Sequence, residues 1–323
     1  MTHIHVIHEN AAWLEPLAAA LDRHGLPWRD WFFDKGVFDL SRPPPDGVFF
    51  NRMSASSHTR GHRYAAELTA SVLAWLERHG RPVVNGSRAL DLEISKARQY
   101  AALEARGIRT PDTVLVAGKE LLIEAARQHF GGGPLILKPN RGGKGLGVRL
   151  FYTAEALALH LDSADYEAPA DGLHLLQQYV RAPLPLITRV EFVGGRFMYA
   201  VEVDTSDGFE LCPADVCAVG DAFCPAGPGA KPDLPRAKFT IVDDIDPSLK
   251  DRYEAFLAAN DIGVAGIEFI ADAAGTVYTY DVNTNTNYNP DAEARAGRSG
   301  MDTLARYLGA ELARLYPGRE AAE

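Results

Sequence analysis

Four glycines within six positions, Gly142, Gly143, Gly145 and Gly147, set the tightest constraint on what this chain can fold into. The run Leu135-Ile136-Leu137-Lys138-Pro139 before them reads as a buried strand, and Val148 to Tyr152 as the strand that follows. Glycines held between two strands let backbone N–H groups approach an oligophosphate closely, and Arg141 and Lys144 add positive charge. A P-loop is excluded, because Gly145 rather than Ser or Thr follows Lys144 and because the segment opens no helix. A dinucleotide fingerprint fails for the same reason. The plainer alternative is a flexible glycine-rich hairpin carrying surface cations.

A second constellation lies toward the C-terminus. Gly266 to Ala271 and Thr276 to Asn283 flank Asp272-Ala273-Ala274-Gly275 and predict an antiparallel hairpin. Pairing Ala271 with Thr276 sets Glu268 opposite Thr279, and the period of two then puts Glu268, Thr279, Asp281 and Asn283 on one face. Side-chain oxygens without His or Cys suit a hard cation, and magnesium takes one or two carboxylates together with phosphate oxygens. The alternative is a solvated polar face on an edge strand, and a slip of one residue would part Glu268 from Asp281. The run from Asn283 through Asn285 to Asn289 is dense in amides and hydroxyls, fit either to cradle a polar substrate or to form Asx-turns.

Around these two sites the chain alternates strand and helix patterns. Ile4 to Ile7, Val48 to Asn51 and Pro82 to Val84 read as strands, with helices over Ala11 to His24 and Tyr64 to His79, which implies a small parallel sheet. A helix through Lys96 to Arg106 stops at Gly107; Thr153 is the expected N-cap of a helix to Leu161, and Gly194-Gly195 the turn of a hairpin. Helices over Ser248 to Asn260 and Met301 to Leu315 follow, after an irregular loop near 225–235. The length of 323 residues exceeds what one core comfortably serves, about 250 to 300, so several units are expected. We divide them at 1–86, 87–176 and 177–323.

With 33 basic against 43 acidic residues, a formal charge of −10, the chain lacks a broad footprint for nucleic acid or anionic lipid, so local cations must hold any anion. Cys212, Cys217 and Cys224 are an odd, sparse set that argues for a reducing compartment and against a disulfide framework. Neither a signal peptide nor an apolar run of about 18 residues is found, and the expected location is the cytoplasm. An oligomer is compatible with all of this.

From about Val84 to Leu315 these residues resemble, in order, the ATP-grasp superfamily, within it the RimK-type α-L-glutamate ligases and the similar glutathione synthetases. Gly107-Ile108-Arg109-Thr110-Pro111-Asp112-Thr113 matches the family's Gly-Ile-x-x-Pro-x-Thr, and Leu175 to Val180 its hinge strand. The resemblance implies two α+β subdomains gripping ATP, here preceded by a small parallel-sheet α/β domain. It implies that Lys96, Lys138 and the loop of Gly142, Gly143, Lys144, Gly145 and Gly147 hold phosphates, and that Gln178, Tyr179 and Val180 hold adenine. Arg189 resembles the arginine that stabilises the transferring phosphate, and Glu268, Asp281 and Asn283 resemble the magnesium ligands. Two segments depart from the RimK pattern: Gly208 to Cys217 replaces an arginine-rich stretch, and Thr284-Asn285-Thr286 stands where Ser-Pro-Gly is usual.

The implied activity is that of a carbon–nitrogen ligase. A carboxylate, of an amino acid or small peptide, is activated by ATP with magnesium as an acyl phosphate, with Arg189 and Lys138 as catalytic cations, and an amine displaces the phosphate. A kinase on the same fold and an inactive nucleotide-binding partner module are the alternatives. Arg52 and His58, which follow a strand where open sheets place ligands, and Asn285 are the candidate substrate contacts, with Arg52 expected to meet a carboxylate.

Overall fold

A computed structural model describes residues 2–206 and 237–317. The expected loop near 225–235 and the three cysteines lie outside the described residues.

The first unit runs through β1 (His3–His8), α1 (Ala11–Arg23), β2 (Trp28–Phe32), β3 (Gly47–Asn51), a 3-10 turn (Ser57–Arg60), α2 (Ala65–Arg78) and β4 (Val83–Val84). Its four strands are all parallel, in the order β2-β1-β3-β4. Helices cover such a sheet on both faces, which is why β3 is buried along its whole length. The expected parallel sheet is present with one strand more: β2 is a half-exposed edge whose Arg29 and Asp30 obscure a strand pattern. As its apolar stripe predicts, α2 packs Val72, Leu73, Trp75 and Leu76 onto the sheet.

After α3 (Ser87–Glu93) and α4 (Lys96–Glu104) come β5 (Thr113–Ala117), α5 (Leu122–Phe130), β6 (Leu135–Pro139), β7 (Arg149–Phe151), α6 (Ala154–Leu161) and β8 (Leu173–Gln178). These strands form an antiparallel sheet, β5-β8-β6-β7, whose inner face packs on α5 and α6 through Leu122, Ala126, Leu157 and Leu161. The Thr153 hydroxyl caps α6 by accepting from Ala156 N, as expected.

The last unit contains β9 (Leu186–Val193), β10 (Arg196–Asp204), β11 (Phe239–Val242), α7 (Pro247–Ala259), β12 (Val264–Ala271), β13 (Val277–Asn283), α8 (Pro290–Ala296) and α9 (Gly300–Leu315). Its antiparallel sheet has the order β11-β10-β9-β12-β13. On one face α7 packs together with α3 and α4, burying Leu92, Tyr100 and Leu103 against Phe192, Tyr253, Phe256 and Ile267. On the other face α9 shares a core with α1 and β1, through Leu304 and Leu308 beside Leu17, Leu21, Ile4 and Val264. No helix among the described residues is long and apolar enough to cross a membrane.

Asn85 joins the first unit to the last. Its backbone is left-handed, φ 58°. Its buried amide donates to Val264 O and Thr284 O and accepts from Gly263 N and Val264 N, four bonds of 2.8–3.1 Å. Asn tolerates this backbone better than most residues, and its amide both donates and accepts. Asn85→Ala should therefore destabilise the protein by about 3–5 kcal/mol, since buried backbone groups lose partners while the strain stays. Urea unfolding at equilibrium checks this, and a loss below about 1 kcal/mol would mean that water or a neighbour takes over those bonds.

Candidate active site

Strand order builds the site. Arg189 on β9, Glu268 on β12 and Asp281 on β13 stand directly opposite one another across three neighbouring strands, and Glu191, Gly266 and Asn283 make the next rung. Directly paired residues share a face, so five polar side chains rise together from one patch of sheet. Gly266 supplies the gap: a Cβ there would collide with the Arg189 guanidinium, which lies across the empty position.

The hairpin register differs from the expected one. Ala271 pairs with Val277 and Phe269 with Thr279, but Glu268 pairs with Asp281, because Tyr280 is an extra residue that forms a bulge. Uninterrupted pairing from the turn would have sent Glu268 and Asp281 to opposite faces, and the bulge restores them to one. It also turns Thr279 away, so that residue is buried and hydrogen-bonded at 2.7 Å to Tyr253 OH on α7 instead of joining the carboxylates.

Arg189 is 7% exposed and fully engaged. Nε donates to Glu191 Oε1 at 2.5 Å, Nη1 to Glu268 Oε1 at 2.9 Å and Nη2 to Thr286 Oγ1 at 2.9 Å, while Thr286 itself donates to Glu191 Oε2 at 2.8 Å. Burial opposes the charge on Arg189, yet Glu191 and Glu268 outweigh it and hold the guanidinium above its ordinary value. For Glu268 the balance goes the other way: burial and the Asp281 charge lift its carboxyl above the usual range against the pull of Arg189. A carboxylate so placed has unmet demand for positive charge.

Two lysines reach this patch from other elements. Lys96, first residue of α4, meets Asp281 Oδ1 at 2.5 Å. Lys138, near the end of β6, is 4% exposed, and its Nζ donates to Tyr100 OH at 2.5 Å and lies 5.9 Å from the Tyr280 ring centre. Tyr100 is fixed in turn by donating to Tyr280 O at 2.9 Å. Burial, with Lys96 adding repulsion, lowers the Lys138 pKa to about 7.

The donor set fits magnesium. Among the described residues no three His, Cys, Asp or Glu side chains gather as a metal site. Glu268 and Asp281 are two carboxylates, with the Asn283 amide 3.3 Å from Glu268 Oε1. Two carboxylates and an amide suit an ion that keeps water and phosphate oxygens as its remaining ligands.

Beyond this patch, Gln178 and Tyr179 are half-buried and Val180 buried where β8 leaves its sheet, with Gln178 Oε1 accepting from Asp112 N at 3.2 Å. In the glycine-rich loop, Lys144, Gly145 and Gly147 have φ of 59°, 75° and 74°, and Gly142 is packed on Pro139. The loop lies on the first unit. A Cβ added at Gly143 would reach van der Waals contact with Ser56, and Lys144 Nζ sits 4.4 Å from the Trp13 ring centre. Arg52 is only 2% exposed: it donates to Asn285 Oδ1, Asn287 Oδ1, Trp13 O and Thr286 O, so its fork holds the Asn-rich segment in place. His58 Nδ1 lies 3.1 Å from Ala55 O.

Sequence reasoning missed Glu191, Tyr100, Tyr280 and Glu93. The last is a buried carboxylate that accepts from Ala55 N at 3.2 Å and Thr284 N at 2.7 Å and so bridges the loops that follow β3 and β13. The alternation Arg189-Val190-Glu191 carried a signal for the first, whereas the bulge that brings Tyr280 in had none.

Gly266→Ala is expected to displace the guanidinium of Arg189 and to lower turnover by about tenfold or more, with a stability loss of about 1–3 kcal/mol. Steady-state kinetics and melting decide it. Unchanged turnover would show that Arg189 need not lie across the gap.

No family model and no curated protein matches the sequence. Solved structures do match its fold over nearly its whole length. The ATP-grasp ligase PsnB complexed with minimal precursor aligns at TM-score 0.64 and 18% identity over 96% of this chain and 99% of that one. The D-alanyl-alanine synthetase A of Vibrio cholerae O1 gives 0.64 and 14% over 97% and 98%. A RimK domain protein from Sphaerobacter thermophilus gives 0.62 and 18% over 95% and 99%. Identities this low speak for architecture, and the architecture is unambiguous: this chain has the ATP-grasp fold.

Proposed function

We propose that the chain is a magnesium- and ATP-dependent ligase that joins a carboxylate to an amine. The rung of Arg189, Glu268 and Asp281 facing Lys96 and Lys138 carries this reading. It sets two fixed carboxylates and three cations around one small volume, the arrangement that phosphoryl transfer to an acid requires. The names of the similar structures, ligases and synthetases, support it.

In this reading Lys96 and Lys138 grip the phosphates of ATP, and the glycine-rich loop covers them with backbone N–H groups. Magnesium, when bound to Glu268, Asp281 and Asn283, shields the charge that develops on the transferring group. A substrate carboxylate oxygen attacks the γ-phosphorus, the bond to the β–γ bridging oxygen breaks, and ADP leaves. Arg189, clamped by Glu191 and Thr286, holds a fixed charge beside the phosphate oxygens without reorganising. An amine then attacks the acyl carbon, phosphate departs and the amine gives up a proton. Gln178, Tyr179 and Val180 hold adenine where β8 ends. Asn285, held by Arg52, and His58 face the acid and amine, which we take to be amino acids or a small peptide.

The test is ADP release in the presence of magnesium across a panel of amino acids and short peptides, with hydroxylamine added to trap an acyl phosphate as the hydroxamate. Hydroxamate formed with an acid alone, and amide with acid plus amine, support a ligase. ADP and a stable phosphorylated product without any amine would indicate a kinase, and no turnover with any pair would remove the ligase reading.

A further inference from the structure

Arg141, the first residue of the glycine-rich segment, is 4% exposed and has one hydrogen-bond partner among the described residues: Nη1 donates to Glu67 Oε1 on α2 at 2.6 Å. Its Nε and Nη2 are buried with no partner among the described residues. Leaving charged donors unmet inside a protein is costly, and such atoms mark a place where something else binds. They lie on the first-unit side of the loop, whereas Lys96 and Lys138 face the carboxylate rung.

The surroundings are cationic. Arg141, Arg63 and Arg60 all act on His58, which burial and these charges hold below its ordinary pKa. Arg60 Nε and Nη2 are satisfied by Glu9 at 3.1 and 2.6 Å, and its Nη1 by Ser56 Oγ at 3.0 Å. Arg60 and Lys144 both lie over the Trp13 ring, at 4.6 and 4.4 Å. Arg60, Arg63 and Arg141 thus gather around His58, with Glu9 paired to Arg60 and Glu67 to Arg141. Glu67 is the exposed member of its pair, at 56%, so it competes weakly for Arg141.

We propose that the molecule activated by this enzyme carries a second carboxylate, remote from the reacting one, which docks on the free edge of Arg141 between the 3-10 turn and the glycine-rich loop. That the bound acid is activated rests on the ligase reading; the binding site stands on the geometry. A guanidinium edge with Nε and Nη2 both lacking a partner is the two-pronged donor that matches a carboxylate. Because Arg141 belongs to the loop and its neighbours to the first unit, a carboxylate bound there bridges the two and favours the closed loop.

Binding is measured on the full chain with MgADP present. Glutarate is compared with valerate, and a blocked tetrapeptide containing one glutamate with the same peptide containing glutamine; whichever acidic probe wins identifies a free dicarboxylic acid or a peptide side chain as the source. The member carrying the additional carboxylate in at least one pair should bind about tenfold or more tightly than its match, and Arg141→Met should abolish that preference. If Arg141→Met does not fold, Glu67→Gln serves instead: it removes the competing carboxylate and should strengthen the preference. Equal binding within both pairs, a preference that survives Arg141→Met, a preference that Glu67→Gln leaves unchanged or weakens, or an Arg141→Met effect confined to nucleotide affinity would each overturn the proposal. Carboxylate binding that depends on Arg141 without any ADP formation would instead remove the ligase reading and leave this site standing.

Discussion

Glu268→Gln is expected to lower magnesium-dependent ATP turnover roughly 10²- to 10³-fold while leaving the melting temperature of the empty protein close to that of the wild type. The shape is conserved, and the amide oxygen still accepts the Arg189 hydrogen bond now made at 2.9 Å. What disappears is a negative charge that burial and Asp281 already make costly to maintain, so its removal does not harm the fold. In the proposed site, however, a magnesium ion would lose one of its two carboxylates. Turnover titrated with magnesium separates the cases: a raised magnesium requirement with a low plateau fits a ligand, and an unaltered titration would show that Glu268 serves only to hold Arg189.

Nucleotide affinity should fall by nearly tenfold per pH unit between about pH 7.5 and 9.5, with uptake of about one proton on binding. The sign follows from Lys138. Burial and Lys96 hold its folded pKa at about 7, so above that pH the empty site contains mostly a neutral amine, while a bound phosphate requires the ammonium. Binding must then draw a proton from the buffer. The empty protein behaves in the opposite sense: over the window from about 7 to the unfolded value near 10.4, the unfolded chain binds the proton and the folded one does not, so stability gains from this group as pH rises. Calorimetry in two buffers of different ionisation enthalpy measures the proton directly. Lys138→Met should bind nucleotide weakly and lack the slope; a slope that persists there would assign the proton elsewhere.

What the sequence made legible was local. The glycine cluster flanked by strands, the Thr153 cap and the Gly194-Gly195 turn each have a short-range cause, and each is present in the structure. Several short elements went unread: β5, β11, the amphipathic α5, and α8, whose Asn289 cap and first-turn Pro290 were a signal that the reading of an Asn-rich loop passed over. At the candidate site, Glu268, Asp281 and Asn283 stood out as oxygen donors on one hairpin, but that they share a face follows from a bulge, which only long-range packing on α7 dictates. Nor could the order β9-β12-β13 be read from spacing. Since that order sets Arg189 beside Glu268 and leaves Gly266 empty beneath it, the rung became visible only in three dimensions.

The final helix determines how such a molecule can open. Because α9 springs from the last unit yet is welded into the same core as α1, with Arg23 and Asp302 paired at 2.8 Å outside it, those two parts travel as one slab. The sheet β5-β8-β6-β7 is connected to that slab along the chain by the segments 105–112 and 179–185. Gaping would therefore be a swing of one jaw on a double strap, and it would have to part the bonds of Lys138 to Tyr100 and of Asn140 to Ser95 and Ala97 as well as the grip of Arg141 on Glu67, of Lys144 on Trp13 and of Arg63 on Ala170. These clasps are polar, ionic or cation–π contacts, whereas the seam of α1 with α9 is apolar and stays shut.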